Sequence, residues 1–230
     1  MKGLHLSTST VNCSVAVSDK TEGLSCVEES EDRLVHAEKL HVFIEQCLEQ
    51  SNTKASELSY LSVDVGPGSY TGLRIGVSAI KGLAYALQIP IVSMTSPEIL
   101  MCGWSQKEAY AEGDRPLAMI DARRMEVYQQ WGDSSGIPQG EILATILDSQ
   151  TFAKERAQCS VHLVGDSSEK ALTVWRNNKT LRVSEIKYPS ASYMPQRAYE
   201  KFLAQDFVDT AYFEPFYLKD FVAGKPKKLL

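Results

Sequence analysis

The sequence predicts an α/β fold in which a mixed β-sheet is flanked by helices. Near the N-terminus apolar residues alternate with polar ones, which is the pattern of a half-buried β-hairpin. Strand-like and helical segments then follow in the order strand, strand, strand, helix, strand, helix. The composition agrees with a folded chain, because 43% of the 230 residues are hydrophobic and 23% are charged. This length fits one large domain or two small ones.

The first half of the chain carries the clearest periodicity. Leu4 and Leu6 alternate with polar residues before a Ser/Thr-rich turn, and Val15 and Val17 alternate after it. In the next two helical segments apolar residues recur every three or four positions, and the second ends before Pro90. The elements predicted here are strands at 4–6, 15–17, 24–28, 58–65 and 89–94, helices at 34–50 and 70–87, and a third helix beginning at Ser96.

The second half is less regular. A polar, aperiodic stretch at 105–115 precedes it, and on this basis we divide the chain into lobes at 1–108 and 109–230. We find no internal repeat and no low-complexity segment. The elements predicted here are strands at 117–120, 125–131 and 161–164, a loop at 132–140, and helices at 145–157, 168–176 and 195–205.

The charge balance argues against direct binding of nucleic acid. The formal net charge is -5, from 24 Lys and Arg against 29 Asp and Glu. A protein that neutralises many phosphates by itself needs a basic face. The basic cluster of this chain is Lys225, Lys227 and Lys228, which we interpret as a solvated tail. We therefore expect contact with nucleic acid only through a partner.

The sequence also predicts a cytoplasmic protein without membrane contact. The most apolar stretch, residues 73–94, is interrupted by Arg74 and Lys81 and makes a poor membrane span. The first residues turn polar at once, so we expect no signal peptide. The five cysteines are odd in number and none lies at C-x-x-C spacing, which favours reduced thiols.

A glycine-rich turn between a buried strand and a helix is the most informative segment. Free backbone N–H groups at such a helix start can hold an anion, so Gly66, Gly68, Ser69 and Thr71 form a candidate phosphate loop. The spacing fits neither the Walker A loop nor the dinucleotide-binding fingerprint. The alternative is that these glycines only shape a tight turn.

Small residues form a stripe on the helix that follows this turn. Gly72, Gly76, Ala79, Gly82 and Ala86 recur every three or four positions, which places them on one face. Each glycine inside a helix costs about 1 kcal/mol relative to alanine, so close approach of another element must compensate. The stripe predicts either packing within the same subunit or a helix–helix interface between subunits.

Several segments, taken in order, match one known family. They are residues 6–10 and 13–17, the run Gly66-Pro67-Gly68-Ser69-Tyr70-Thr71-Gly72-Leu73-Arg74-Ile75-Gly76 with residues 79–84, and the later segments 120–123, 126–128, 164–166 and 215–219. In these segments the chain closely resembles the bacterial TsaB (YeaZ) family. The glycine-rich run is the most specific part of the resemblance, which spans most of the chain.

The resemblance implies an actin-like/Hsp70-like ATPase (ASKHA) fold of two related lobes. It implies a degenerate relative of TsaD, which transfers a threonylcarbamoyl group to the adenosine next to the anticodon of ANN-decoding tRNAs. TsaB proteins pair with TsaD through helices of the first lobe, TsaE joins them, and TsaB forms a homodimer without its partner. We therefore expect a partner or dimer interface at Gly72, Leu73, Ile75, Gly76, Ala79, Gly82, Leu83, Ala86 and Leu40. Whether Arg74 lies at its edge or binds a carboxylate is left open.

The residues argue against catalysis by the chain itself. TsaD-type enzymes bind a metal through H-x-x-x-H, whereas His36 and His41 are five positions apart and diverge on a helix. We expect no metal site and two surface or interface histidines. Ser7 replaces the family's usual Asp and cannot supply the charge that Mg²⁺ favours. We expect an accessory subunit with no catalytic residue and no required cofactor, with weak ATP or ADP binding left open.

Other functions stay open at this point. One is a small-molecule kinase or ATPase that uses residues 66–72 as a phosphate loop, and another is a purely structural homodimer. A glycoprotease-like peptidase is disfavoured, because the sequence has no H-E-x-x-H and no G-x-S-x-G. Asp64, Asp121 and Asp166 can be interpreted as acid/base carboxylates, or simply as a strand end and two turns.

Overall fold

Two five-stranded mixed sheets make up the protein. A computed structural model describes residues 1–30, 36–108, 110–175 and 179–219. Helices cover both sheets, so the α/β class predicted from the sequence is confirmed. The predicted tail cluster at Lys225, Lys227 and Lys228 lies outside the described residues, as do positions 34, 35 and 176 at the ends of two predicted helices.

The first sheet is built from the N-terminal strands. The elements of this part are β1 (Lys2–Ser7), β2 (Asn12–Asp19), β3 (Glu22–Ser30), α1 (His36–Gln50), β4 (Leu58–Asp64), α2 (Tyr70–Leu87), β5 (Ile91–Met94) and α3 (Ser96–Lys107). The strand order is β3-β2-β1-β4-β5. The first three strands pair antiparallel, and β1, β4 and β5 pair parallel.

The second sheet follows the same plan. Its elements are β6 (Arg115–Asp121), β7 (Glu126–Gly132), β8 (Pro138–Ile146), α4 (Ala153–Gln158), β9 (Val161–Val164), α5 (Ser168–Val174) and β10 (Leu181–Val183), and α6 (Pro195–Leu203) comes later. The order is β10-β9-β6-β7-β8, with β6, β7 and β8 antiparallel and β6, β9 and β10 parallel. The two sheets therefore share one topology, although the sequence shows no repeat.

Helices α1 and α2 cover one face of the first sheet. Leu4 and Leu6 of β1 pack in a buried cluster with Leu40 of α1 and with Val77 and Ile80 of α2. Burying a side chain of this size contributes about 1.5–3 kcal/mol. Among the helices of the described ranges, none is long and apolar enough to cross a membrane.

Helix α3 lies between the two sheets. Its Ile99 packs with the core of the first sheet, and its Leu100 and Trp104 pack with Ile120 and Val164 of the second. A capping box, in which the side chains of Thr95 and Glu98 bond each other's backbone N–H groups, fixes the start of this helix. The helix therefore joins the two sheets through a shared core.

The C-terminal part returns to the first sheet. Helix α6 buries Ala198 against Tyr60 and Met94 of that sheet, and Val208 pairs with Ile91 at the edge of β5. The predicted lobe boundaries at 1–108 and 109–230 do not anticipate this return. The segment after α6 lies along the first sheet and α2, where it contributes to the candidate site.

The prediction of a helix at 145–157 is wrong. Strand β8 runs through Ile146, and only Ala153–Gln158 is helical. Pairing with β7 explains the difference, because Thr145 and Ile146 lie opposite Val127 and Glu126, and β-branched residues favour such positions. The same strand takes up part of the predicted loop at 132–140, and β10 was not predicted.

Candidate functional site

The glycine-rich turn leaves the first sheet at the end of β4 and leads into α2. Gly66 has φ +101°, a conformation that side chains other than glycine rarely adopt. A β-carbon there would lie 2.8 Å from Leu73 Cδ1. The Gly66 carbonyl accepts a hydrogen bond of 2.9 Å from the backbone N–H of Ser96 at the start of α3. The turn is therefore fixed on both sides.

Three backbone N–H donors of the glycine-rich turn, those of Gly66, Ser69 and Gly72, are engaged by the chain itself. The backbone N–H of Ser69 donates to the carbonyl of Ser9 at 2.6 Å, and that oxygen lies 2.2 Å from the site of a β-carbon on Gly68. Ser69 caps α2 by accepting from the N–H of Gly72 at 3.2 Å. Thr71 is exposed in the first turn. Only the remaining donors of the loop are left for an anion.

Asp64 is completely buried beside this loop. Its carboxylate accepts hydrogen bonds from the hydroxyls of Ser7, Ser9 and Ser96 and from the N–H of Gly66, at 2.5–3.0 Å. Burial raises the pKa of Asp64, and the four hydrogen bonds oppose that shift. These hydrogen bonds make the Asp64 carboxylate a structural acceptor at the end of a strand. The strand end was one of the two interpretations of this residue, and an acid/base carboxylate was the other.

The first part of the small-residue stripe is buried within the chain. A β-carbon on Gly72 would lie 2.1 Å from the Thr8 carbonyl oxygen, and one on Gly76 would lie 2.3 Å from Thr8 Oγ1. Leu73 and Leu40 are also buried. These four residues, which we predicted at an interface, are thus buried within the chain, Gly72 and Gly76 against the β1–β2 turn and Leu40 in the core of the first sheet.

The second part of the stripe reaches the surface. Among the described residues nothing lies within 4 Å of a β-carbon built on Gly82, and Ala86 is exposed, while Ile75, Ala79 and Leu83 are half-buried. Next to them Tyr85 is 77% exposed. We call the following residues the α2 face: Arg74, Ile75, Ala79, Gly82, Leu83, Tyr85 and Ala86. Five of the nine predicted interface residues therefore lie on one accessible surface.

Arg74 is held by two aromatic residues at the edge of the α2 face. Its guanidinium lies 4.1 Å from the ring centre of Tyr70, and its Nε donates to the hydroxyl of Tyr217 at 3.2 Å. The rings of Tyr70 and Tyr217 are 4.7 Å apart. The hydrogen bond that Arg74 donates to Tyr217 raises the pKa of Arg74. Arg74 thus contacts tyrosines, whereas a carboxylate partner was the alternative left open by the sequence.

The C-terminal segment lies along α2. Lys81 Nζ donates to the carbonyls of Ala211 and Phe213, each at 3.0 Å. The N–H of Phe216 then donates to the carbonyl of Val65 at 2.8 Å, next to the glycine-rich turn. This segment brings Tyr217 to Arg74. Residues 215–219 are part of the family resemblance, but no role in the site was predicted for them.

The two other candidate carboxylates lie together in the second lobe. The backbone N–H of Asp121 donates to Asp166 at 2.9 Å, and Lys170 Nζ donates to Asp121 at 2.7 Å. Burial raises the pKa of Asp166 to about 6. These contacts belong to two turns, at the ends of β6 and β9, and Asp64 lies in the other sheet.

The two candidate histidines differ in environment. His36 is completely buried, and its Nε2 donates to the Thr10 carbonyl at 2.8 Å, while His41 is exposed. The expectation of a surface or interface histidine is wrong for His36, because its ring is enclosed within the chain. Gly72 leaves room for this ring, whose Cδ2 atom lies 3.2 Å from the β-carbon site. No group of three His, Cys, Asp or Glu side chains suited to a metal occurs in the ranges that the structure describes.

A family model described as TsaD, tRNA N6-adenosine threonylcarbamoyltransferase, matches residues 33–223. The chain belongs to this family.

Relatives within the TsaD family agree with the predicted resemblance to TsaB (YeaZ), which is confirmed. The tRNA threonylcarbamoyladenosine biosynthesis protein TsaB of Escherichia coli is 29% identical over 98% of this chain and 97% of its own length. TsaB of Haemophilus influenzae is 28% identical over 96% and 95%. A tRNA N6-adenosine threonylcarbamoyltransferase of Anoxybacillus flavithermus is 39% identical, but over 26% of this chain and 17% of its own length.

Solved structures show the same fold. YeaZ from Pseudomonas aeruginosa is 25% identical and has a TM-score of 0.79, covering 94% of this chain and 99% of its own. A second Pseudomonas aeruginosa structure, of a protein with similarity to peptidase YEAZ, is 24% identical with a TM-score of 0.82. The shared topology of the two sheets agrees with the predicted two-lobed actin-like fold, which is confirmed.

Proposed function

We propose that this TsaD-family chain is the TsaB-type accessory subunit of tRNA threonylcarbamoylation. It acts in the cytoplasm, where it pairs with TsaD, and TsaE joins the pair. The complex modifies the adenosine next to the anticodon of ANN-decoding tRNAs. The observation that carries the proposal is the extent of the match, because TsaB relatives align over nearly the whole chain.

The α2 face is the surface that we assign to TsaD. Tyr85 projects from it, and Arg74 and Tyr217 lie at its edge. Tyrosine and arginine are enriched among the residues that dominate binding energy in protein interfaces. Gly82 and Ala86 allow a partner helix to approach the backbone of α2 closely. In the absence of TsaD, the same face pairs two copies of this chain.

The chemistry of the site supports a role without catalysis. The carboxylate of Asp64 is buried and accepts four hydrogen bonds. It therefore has no free lone pair with which to bind a metal or to accept a proton from a substrate. Position 7 holds a serine, and the chain contains no H-x-x-x-H pair. The proposal therefore requires no cofactor on this chain, and tRNA is reached only through the complex.

Reconstitution tests this function directly. TsaD, TsaE and an ANN-decoding tRNA are supplied with ATP and a threonylcarbamoyl donor, and transfer to the tRNA is measured with and without this chain. We expect transfer to depend on the chain, and the chain alone to transfer nothing. Transfer at the same rate without it would contradict the proposal.

A further inference from the structure

Ser7 and Asp64 are neighbours at the ends of two parallel strands. Strands β1 and β4 pair in parallel with Leu6 opposite Val63, so the next residue of each strand, Ser7 and Asp64, stands at the same level. Both residues are completely buried, and Ser7 Oγ donates to Asp64 Oδ2 at 2.8 Å. The carboxylate therefore lies within reach of a side chain from either strand.

One carboxylate holds three separate parts of the first lobe. Its Oδ2 accepts from Ser9 of the β1–β2 turn at 2.5 Å. Its Oδ1 accepts from Ser96 at the start of α3 at 2.5 Å and from the N–H of Gly66 at 3.0 Å. A buried carboxylate is tolerated only when its oxygens are bonded in this way. Removing it leaves several buried donors without an acceptor.

The contacts continue from this carboxylate to α2. Ser9 is bonded to Asp64 through its hydroxyl, and through its carbonyl it accepts from the N–H of Ser69. Ser69 in turn caps α2. The position of the first turn of α2 is therefore set by the same turn that Asp64 fixes.

We propose that Asp64 is a positioning residue for the α2 face, and that position 7 can supply its carboxylate instead. The proposal rests on the proposed function, because it takes the α2 face as the TsaD-binding surface. Ser7→Asp alone places two carboxylates side by side in a buried site, where they repel each other. Asp64→Ser alone removes the common acceptor. The two changes together restore one carboxylate surrounded by serine hydroxyls.

Thermal unfolding tests whether the carboxylate can be exchanged between positions 64 and 7. We expect each single variant, Ser7→Asp and Asp64→Ser, to lower Tm, and the double variant to have a higher Tm than either. A double variant that unfolds at or below the Tm of the weaker single variant overturns the exchange. Should a single variant not fold at all, a folded double variant supports the exchange and an unfolded one overturns it.

Matched serine variants test the positioning role. Ser9→Ala removes a buried hydroxyl that bonds Asp64. Ser62→Ala removes a buried hydroxyl that bonds His5, with 2.7 Å between Ser62 Oγ and His5 Nδ1, and this pair does not involve the loop. We expect Ser9→Ala to weaken binding of TsaD about tenfold, the size of a lost hydrogen bond to a charged group, and Ser62→Ala to leave it unchanged. Equal affinities for the two variants overturn the positioning role.

Hydrogen exchange separates this inference from the proposed function. If the wild-type chain does not bind TsaD, the proposed function fails. Hydrogen exchange at the amides of residues 69–76 then tests the positioning role of Asp64 without a partner. We expect Ser9→Ala to speed exchange there several-fold relative to Ser62→Ala. Equal exchange in the two variants overturns the inference.

Discussion

The carbonyl oxygen of Thr8 lies 2.1 Å from the point that a β-carbon on Gly72 would occupy. Thr8 also donates its hydroxyl to the carbonyl of Gly72 at 2.8 Å. Helix α2 therefore crosses the β1–β2 turn at a distance that only glycine permits. Ten residues later, no atom of the part of the chain that the structure describes lies within 4 Å of a β-carbon built on Gly82, so the two glycines of one stripe have different roles.

The stability of alanine variants should separate these two glycines. Gly72→Ala is expected to lower the free energy of unfolding by about 1–3 kcal/mol, because the new methyl group overlaps backbone atoms of Thr8. Gly82→Ala should be neutral or stabilising by up to about 1 kcal/mol, because alanine favours the helix. Urea denaturation measures both. A Gly72→Ala chain as stable as wild type would contradict the contact.

Binding of TsaD should depend on the exposed part of the stripe. Tyr85→Ala and Gly82→Leu are each expected to weaken binding about tenfold or more, by removing an anchor or by blocking close approach. The free energy of unfolding should change by less than about 0.5 kcal/mol for Tyr85→Ala, because the side chain is exposed. Leu143→Ala, at an exposed position on β8 of the second sheet, serves as the control. Unchanged affinity in both α2 variants would remove this face from the interface.

The pH dependence of stability should report on Asp166. Its pKa of about 6 in the folded chain exceeds the ordinary value of 3.8, so between these pH values the folded state binds the proton more tightly than the unfolded state. The contribution of this group to stability is therefore present at low pH and is lost as pH rises through that window. The loss is at most about 3 kcal/mol.

Asp166→Asn keeps the acceptor oxygen and removes the titration. We expect it to be more stable than wild type at pH 7 and to lose that advantage at pH 4, as measured by urea denaturation at each pH. Asp148→Asn is the control of opposite sign, because hydrogen bonds from Thr151 and Gln150 lower the pKa of Asp148. An Asp166→Asn advantage that does not change with pH would contradict the raised pKa.

Turnover of ATP by the isolated chain is expected to be absent. The N–H groups of Ser69 and Gly72 are already bonded within the chain, and Ser7 offers no charge for Mg²⁺. A steady-state assay should find a rate far below about 1 s⁻¹, the low end for enzymes. Turnover near that rate that is lost on substitution of Ser69 and Thr71 would support the kinase or ATPase alternative instead.

Local patterns were sufficient to predict much of the fold. The helix at 70–87 and the strand at 161–164 have the predicted bounds, because periodicity, capping by Ser69 and the following Pro90 are all visible in sequence. The segment at 145–157 was assigned to the wrong class because its strand is stabilised by pairing with β7. Such pairing joins residues that are distant in sequence.

The site was predictable only in part for the same reason. A periodic stripe identifies one face of α2 but does not say that Thr8 covers Gly72 and Gly76 and leaves Gly82 uncovered. The bonding of Asp64 joins serines at three distant positions, and no local motif announces it. Tyr217 reaches Arg74 only because the chain after α6 returns to the first sheet.

That return has a practical consequence for dissecting the molecule. A fragment cut after residue 108 would lack α6 and the 208–217 segment, so Tyr60 and Met94 would face water on an uncovered sheet. Such a fragment should aggregate during expression, and a two-hybrid or pull-down screen that uses it would detect nonspecific hydrophobic binding instead of specific partners.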